Sequence, residues 1–229
     1  MYFVDWWSIS HYGIFLLACK GITLVCPPID RDGYYNRLHN IFMATVVSPI
    51  ALICPLFILY HACIVMNSTP LYAYFGGVTD HVETNSYIRN ALSIIIVTKY
   101  VEWLDTMWLI LRRRPLQILH LIHHATIVVI FKTGFATGAW LFTGVANASI
   151  HIFMYAYYAK ISVALPFAKY ITTCQITHLA ITFFLSMYTF FYPCCKADVN
   201  GAMSMTTAIL SSVYLMLFIK LYRRKYKHE

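Results

Sequence analysis

Seven apolar stretches constrain this chain more than any other feature of its sequence. They cover roughly residues 8–26, 40–66, 90–111, 115–134, 138–159, 169–192 and 203–222. A helix needs about 20 mostly apolar residues to cross the hydrocarbon core of a bilayer. Only 11% of the 229 residues are charged, against about 25% in a soluble domain. We therefore predict an all-α polytopic membrane protein with seven transmembrane helices, forming a single domain over residues 1–229.

Basic residues in the loops predict the orientation of such a protein. With seven spans, the loops after spans 1, 3 and 5 lie on the same side as the C-terminus. Twelve of the 17 Lys and Arg residues fall on that side, and only Arg89, Lys132 and Lys196 fall on the other. This asymmetry predicts a cytosolic C-terminus and a lumenal N-terminus. It also explains the net charge of +8 by topology and contact with lipid headgroups, so we expect no nucleic-acid partner.

The chain ends and the cysteines carry weaker signals. The N-terminus has no basic region followed by a small-residue cleavage site, so we expect no cleavable signal peptide. Lys225 and Lys227 resemble a dilysine retrieval signal of endoplasmic reticulum proteins, although an ordinary basic anchor fits equally well. The seven cysteines lack metal-ligand spacing. Cys63 could pair with Cys194 or Cys195 if their side of the membrane is oxidising, and the sequence leaves this open.

The fourth apolar stretch contains three histidines within five consecutive residues: His120, His123 and His124. In a helix these positions are i, i+3 and i+4, so the three rings share one face. Polar groups at membrane depth are costly and tend to mark function. A single histidine is commonly satisfied by a neighbouring helix, but three on one face favour a functional site.

The third stretch presents charged and hydroxyl groups at helical spacing, namely Lys99, Glu102, Asp105 and Thr106. Three charges within two turns of a membrane helix need partners or water. We therefore expect this stripe to face the interior of the helix bundle. For Lys99 and Glu102, a substrate site and a buried ion-pair network that joins helices fit the sequence equally well.

The fifth stretch carries Asn147, His151, Tyr155 and Tyr158 at positions i, i+4, i+8 and i+11, which again predicts one polar stripe. The sixth stretch has Thr172, Gln175 and His178 at three-residue steps. This last pattern is weak by itself, because polar side chains of these types commonly join membrane helices. Together the stripes predict a polar, imidazole-rich interior that suits a long acyl chain with a reactive head group.

Four of these motifs occur in a known order and spacing. They are Lys99-x-x-Glu102-x-x-Asp105-Thr106, His120-x-x-His123-His124, Asn147-x-x-x-His151-x-x-Met154-Tyr155-x-Tyr157-Tyr158 and Thr172-x-x-Gln175. This set resembles the fatty acid elongase (ELO) family, the 3-oxoacyl-CoA synthases of the endoplasmic reticulum, over about residues 99–178. One departure concerns the fourth motif, which usually reads TxxQxxQ in the family and here ends in His178.

The resemblance implies a fold in which helices 2–7 form a barrel around an acyl tunnel. It implies decarboxylative condensation of an acyl-CoA with malonyl-CoA, which yields a 3-oxoacyl-CoA two carbons longer, CoA and carbon dioxide. No cofactor or metal is expected. Expected partners are membrane lipid, the reductases and dehydratase of the elongation cycle, and a second copy of the chain in a homodimer. Acyl-chain length and unsaturation preference stay open.

The resemblance also implies roles for individual residues. The middle histidine of the box, His123, is expected to accept the acyl group, since a neutral imidazole is a nucleophile that needs no deprotonation. His151 and Asn147 would orient it or handle the malonyl carboxylate, with His120 and His124 in support. Lys99 and the cytosolic basic residues would meet CoA phosphates, which suit Lys and Arg, and Glu102 and Asp105 would hold these groups in place. The expected substrate-binding residues are Lys99, Glu102, Asp105, Thr106, Tyr155, Tyr158, Gln175 and His178.

Two other classes of protein also place histidines in membrane helices. Membrane di-iron oxygenases use several histidine boxes, whereas this sequence has one box and otherwise single intramembrane histidines. A transporter or channel could use intramembrane Lys, Glu, Asp and His as an ion path. Inverted repeats and paired helix breaks, which are typical of many transporters, are not evident in the sequence.

Overall fold

The computed structural model describes residues 7–28, 33–64, 85–134, 140–191 and 200–226. Within these ranges the secondary structure is helical and contains no strand. The α-helices are α1 (Trp7–Val25), α2 (Tyr34–Phe42), α3 (Ser48–Ile64), α4 (Ser86–Val101), α5 (Trp103–Leu111), α6 (Ile118–Gly134), α7 (Trp140–Tyr158), α8 (Ala168–Phe191) and α9 (Asn200–Tyr226). The predicted all-α class is confirmed.

Two pairs of these helices run on from one another, so that the described residues form seven helical rods. A π-helical stretch, Met43–Val47, joins α2 to α3, and the N–H of Ser48 donates to the carbonyl of Met43. Pro49 follows at once and has no N–H to donate. Glu102 alone separates α4 from α5. The seven rods coincide with the seven apolar stretches, although these two internal irregularities were not predicted.

The apolar helices define a polytopic membrane protein. Among the described residues, four rods are long and apolar enough to cross a membrane, namely Trp7–Val25, Tyr34–Ile64, Ser162–Phe191 and Gly201–Tyr226. Ile118–Lys132 is apolar but shorter. The rod from Ser86 to Leu111 carries Arg89, Lys99, Glu102 and Asp105. The rods outside this set include two that carry the candidate site, namely α6, which is shorter, and the rod from Ser86 to Leu111, which carries four charged residues.

Neighbouring helices pack in a defined order. α9 packs along α8 and also contacts α6, while α7 lies between α3 and α8. α3 contacts α4, which in turn contacts α6. α1 packs against α5 and α6. The polar stripes of α4, α6 and α7 therefore belong to helices that share neighbours.

The largest apolar core lies where α3, α4, α6 and α7 meet. Its fully buried members include Ile58, Ile95, Val128 and Leu141. Lys99 belongs to the same region, since its ammonium lies 4.8 Å from the centre of the Phe131 ring. This core fixes the distances between the helices that carry the polar stripes. Cys194, Cys195 and Lys227, which were singled out in the sequence, lie outside the described residues.

Two isoleucines on α3 give a matched test of this core. Ile58 is fully buried, whereas Ile53 is 61% exposed on the same helix. Because van der Waals packing holds membrane helices together, we expect Ile58→Ala to lower the free energy of unfolding by about 2 kcal/mol. Unfolding in detergent, titrated with sodium dodecyl sulfate, measures this change. Ile53→Ala is the control, and equal losses in the two variants would contradict the assigned core.

Candidate active site

A buried ion pair lies at the centre of the site. The Lys99 Nζ lies 2.6 Å from Glu102 Oε1, and their side chains are 1% and 3% exposed. The pair forms where α4 ends, because the N–H of Glu102 still donates to the carbonyl of Thr98 while the N–H of Asp105 donates to that of Glu102. This tight turn keeps the chain helical and turns the Glu102 carboxylate back toward Lys99.

α7 closes this ion pair from the opposite side. Lys99 Nζ donates to Asn147 Oδ1 at 2.7 Å. Asn147 Nδ2 lies 3.3 Å from His151 Nε2, and His151 Nδ1 lies 3.3 Å from Glu102 Oε1. Four side chains from two rods thus form a closed polar cluster. The second carboxylate oxygen, Glu102 Oε2, has no hydrogen-bond partner among the described residues.

α6 brings the three-histidine box beside this cluster. The ring centres of His123 and His151 are 6.3 Å apart, and that of His123 lies 5.4 Å from His124. Tyr214 of α9 also packs against His123, with the two ring centres 5.3 Å apart. The enclosed Nδ1 of His123 has no hydrogen-bond partner within the described part of the chain, so this ring is held by packing on several sides.

A small cavity opens next to His123. Its volume is about 20 Å³, which is room for about one water molecule. Its wall comes from α6, α7, α8 and α9: His123, Ile127, Ile130, Thr143, Asn147, His178, Leu179, Thr182, Ser211 and Tyr214. A group that enters this cavity would therefore meet His123 and Asn147 together.

Asp105 belongs to a different network from Lys99 and Glu102. Its Oδ1 lies 2.6 Å from His39 Nε2, and its Oδ2 accepts a hydrogen bond of 2.6 Å from the Tyr155 hydroxyl. The ring of Tyr155 packs edge-on against His151, with centres 5.6 Å apart. Asp105 thus joins α2 to α7 and supports the ring of His151 through Tyr155.

Thr106 and the other two histidines of the box face α1. Thr106 Oγ1 lies 2.9 Å from His120 Nε2 and 2.9 Å from the Tyr12 hydroxyl. The rings of His120 and His124 lie 4.3 Å apart. The single stripe predicted on the third span therefore divides between three partners: α7, α2 and the α1–α6 pair.

The remaining predicted residues contact neither the ion pair nor the histidine box by a hydrogen bond among the described residues, although His178 lines the cavity. His178 is buried and hydrogen-bonds the backbone of Thr143, and its Nε2 has no partner within the described ranges. Gln175 Nε2 contacts Met154 Sδ at 3.6 Å. Tyr158 is 53% exposed, because it is the last residue of α7 and extends beyond the packed part of the bundle. The α7 stripe therefore contributes to the interior only as far as Tyr155.

The expectation that Lys99 meets CoA phosphates does not fit its position. Its ammonium is enclosed, paired with Glu102 and hydrogen-bonded to Asn147. A phosphate could reach it only by displacing one of these partners.

Three site residues were missed by sequence reasoning. His39 lies just before the second predicted span, and Tyr12 lies in the first span, which His11 and Lys20 interrupt. Tyr214, whose hydroxyl hydrogen-bonds Thr126, stands in a stretch without another polar motif. Each residue pairs with a helix far away in sequence, so spacing carried no signal for any of them.

Glu102, His123 and His151 offer ligand atoms within 4.8 Å of one another, which could hold a metal ion. However, the Lys99 ammonium already lies 2.6 Å from Glu102 Oε1. A divalent cation on this carboxylate would be repelled by that charge at short range. The expected lack of a metal stays a prediction, and this geometry is compatible with it.

The fold and the site together describe a membrane-embedded, imidazole-lined cavity in a helical bundle. The sequence model of the ELO family, described as the GNS1/SUR4 family, matches residues 5–229 of this chain. The chain therefore belongs to the ELO family of fatty acid elongases, and the resemblance seen in the sequence is confirmed.

Individual relatives of the chain are also named as fatty acid elongases. The chain is 32% identical over 143 residues to "Fatty acid elongase sre1" of Dictyostelium discoideum, covering 58% of this chain and 52% of that protein. It is 29% identical over 166 residues to "Long chain fatty acid elongase 2" of Caenorhabditis elegans, covering 66% and 61%. With "Very long chain fatty acid elongase 4" of Macaca mulatta it shares 26% over 216 residues, covering 86% and 65%.

The chain spans from about half to just under two thirds of the length of these relatives. No solved structure gives a significant match to the chain.

The Lys99–Glu102 pair makes a testable contribution to stability. Lys99→Met leaves a buried carboxylate without its partner, so we expect the free energy of unfolding to fall by about 3–5 kcal/mol. The double variant Lys99→Met/Glu102→Leu removes both charges and is expected to recover most of that loss. Detergent unfolding measures both variants. If the double variant is as unstable as Lys99→Met, the loss of stability does not come from the unpaired Glu102 charge.

Proposed function

We propose that this chain condenses an acyl-CoA with malonyl-CoA and releases a 3-oxoacyl-CoA two carbons longer, as a 3-oxoacyl-CoA synthase does. The observation that carries this proposal is the position of His123. Its ring lines the cavity beside Asn147, its Nδ1 has no hydrogen-bond partner among the described residues, and the His151 ring lies 6.3 Å away. Membership of the fatty acid elongase family supports the same reaction.

In the first step, a ring nitrogen of neutral His123 attacks the thioester carbon of the acyl-CoA. A carbon–nitrogen bond forms and the carbon–sulfur bond breaks. The CoA thiolate takes up the proton that the acylated ring gives up. Covalent catalysis of this kind splits one difficult condensation into two easier steps.

In the second step, malonyl-CoA loses carbon dioxide and its electron pair forms an enolate. The enolate carbon attacks the acyl carbon, so a carbon–carbon bond forms and the bond to His123 breaks. The ring regains a proton from water, and the balance is one proton consumed per turnover.

Asn147 and His151 are placed to bind the malonyl group. Asn147 lines the cavity, and its Nδ2 lies 3.3 Å from His151 Nε2. The Lys99 ammonium donates to Asn147 Oδ1, so the amide oxygen is occupied and the Asn147 amide N–H groups are left to donate, and such a donor would favour a carboxylate or an enolate in the cavity. We assign Glu102 the role of holding Lys99 and His151, and Asp105 the role of holding Tyr155. His178 and Gln175 would border the acyl chain.

The order of helix contacts supports a barrel with one helix outside it. Starting from α3, contacts run through α4, α6, α9, α8 and α7 and return to α3. α1 packs on α5 and α6. Such a cycle has an interior that an acyl chain could occupy, and the cavity at His123 lies between four of its members. We propose that this arrangement extends over a single ELO-type domain, residues 1–229.

We further propose an endoplasmic reticulum protein with a lumenal N-terminus and a cytosolic C-terminus. Basic residues at or just after the C-terminal ends of α5, α7 and α9 support this orientation: Arg112, Arg113, Arg114, Lys160, Arg223, Arg224 and Lys225. These residues, and not Lys99, are the candidates for CoA phosphates. The reductases and dehydratase of the cycle, and a second copy of the chain, are the proposed protein partners.

Replacing the nucleophile tests the reaction and its intermediate. We expect His123→Ala to lower condensation with radiolabelled malonyl-CoA by at least about 100-fold, since the covalent route is lost. With acyl-CoA alone, the wild-type protein should release about one CoA per chain in a rapid burst, and His123→Ala should release none. His61→Ala is the matched control, because it removes a buried imidazole of α3 outside the site.

Full activity in His123→Ala would rule out the assigned nucleophile. Iron in the purified protein with an oxygen-dependent product would point instead to a membrane oxygenase. A ladder of acyl-CoA substrates in the same assay, with products read by mass, would define the preferred chain length.

The orientation has its own test. In sealed microsomes, a tag fused after Glu229 is expected to be removed by added protease, because the positive-inside rule places it in the cytosol. A tag before Met1 should be protected until detergent is added. The opposite pattern would reverse the proposed topology and the side on which CoA binds.

A further inference from the structure

α1 packs beside α5 and α6, yet one of its side chains reaches deep into the protein. Tyr12 is 2% exposed, and its hydroxyl lies 2.9 Å from Thr106 Oγ1. Its ring packs against Trp103 with centres 5.0 Å apart. The rest of α1 is mostly exposed, with buried positions at Ser8, Tyr12 and Cys19. Tyr12 therefore makes a buried polar contact between α1 and the helices of the site.

Thr106 passes this contact on to the histidine box. Its Oγ1 lies 2.9 Å from His120 Nε2 as well, and the residue is fully buried. A hydroxyl carries one proton and two acceptor lone pairs, so Thr106 can donate to at most one of these two neighbours. The three groups thus hold the orientation of the His120 ring, and the direction of the Thr106 hydrogen bond couples the position of the ring proton to the Tyr12 hydroxyl.

The ring of His120 is in turn packed against the rest of the box. It lies 4.3 Å from His124, and His124 lies 5.4 Å from His123. Tyr12 also stacks on His124, with the ring planes 20° apart. Trp103 Nε1 donates to the carbonyl of His124 at 3.0 Å. A shift of Tyr12 would therefore change the packing of all three histidines on the face of α6 that carries the nucleophile.

We propose that Tyr12 is a positioning residue for the condensation reaction, acting from α1 through Thr106 to set the ring of His120 and so the histidine box. This inference rests on the proposed function for its kinetic consequence. It assigns Thr106 to the support of His120 instead of to direct contact with substrate.

The alternative is that Tyr12 merely anchors α1, and the structure offers a matched comparison. Tyr100 also joins α1 to its neighbours, since its hydroxyl lies 3.3 Å from Ser8 Oγ and 3.3 Å from Lys132 Nζ. Its ring packs against Trp103, but within the described part of the chain its hydroxyl has no hydrogen bond to a histidine of the box. Tyr12→Phe and Tyr100→Phe therefore each remove one hydroxyl near α1, and only the first interrupts the chain to His120.

The experiment compares kcat and KM of purified full-length protein in detergent, with malonyl-CoA and acyl-CoA. We expect Tyr12→Phe to lower kcat about 5-fold with KM changed by less than about 2-fold, the effect of one lost hydrogen bond in the transition state. Tyr100→Phe is expected to keep the wild-type kcat. Thr106→Ser, which retains the hydroxyl, should keep far more activity than Thr106→Val.

Coupling gives a second kinetic criterion. Because Tyr12 acts through Thr106, the double variant Tyr12→Phe/Thr106→Val should be no slower than Thr106→Val alone. Additive losses, equal losses in Tyr12→Phe and Tyr100→Phe, or equal losses in the two Thr106 variants would each overturn the inference.

A measurement independent of activity separates this inference from the proposed function. In protein labelled with ¹⁵N-histidine, the ring nitrogen signals of His120, assigned by their absence in His120→Gln, should move in Tyr12→Phe and stay in place in Tyr100→Phe. Unmoved signals in Tyr12→Phe would overturn the positioning role. A wild-type protein without condensing activity would refute the proposed reaction, while the nuclear magnetic resonance result would still decide whether Tyr12 sets His120.

Discussion

The ion pair between Lys99 and Glu102 is the interaction on which the rest of the site depends. Both charges are almost fully removed from solvent, and isolated charges at such depth are very costly. The helix therefore has to satisfy them locally, which it does through the turn at Glu102, and across the interface, through Asn147 and His151. The same contacts fix the distance between α4 and α7, and so the width of the space in which His123 lies.

Around this pair, hydrogen bonds divide the interior into three connected parts. Asn147 and His151 belong to the ion pair, Tyr155 and Asp105 link it to His39 on α2, and Thr106 links the histidine box to Tyr12 on α1. Each part ends on an imidazole. Two of these imidazoles, His39 and His120, have directional partners that involve α2 and α1, and neither helix contributes to the wall of the cavity beside His123. Helices α1 and α2, which lie outside the sequence motifs, are therefore part of the site because they orient its histidines.

Much of the fold followed from the apolar stretches, and the family followed from the ordered motifs. The seven stretches correspond to the seven rods, since backbone groups in a lipid environment are satisfied within a helix. The π-helical stretch Met43–Val47 and the break at Glu102 were not foreseen, because apolar composition does not register a local change in hydrogen-bond pattern. The polar stripe on the third span was foreseen, but its division among three partners was not.

The sequence alone determined which residues share a face of one helix, because a period of 3.6 residues fixes side-chain directions over a few turns. This suffices for His120, His123 and His124 and for the pair Asn147 and His151. Only the tertiary structure decided which faces meet, bringing Tyr12 to Thr106 across 94 residues and His39 to Asp105 across 66. It also left Tyr158 exposed at the end of α7. Contacts between helices depend on how whole surfaces pack, and no spacing within one segment encodes that.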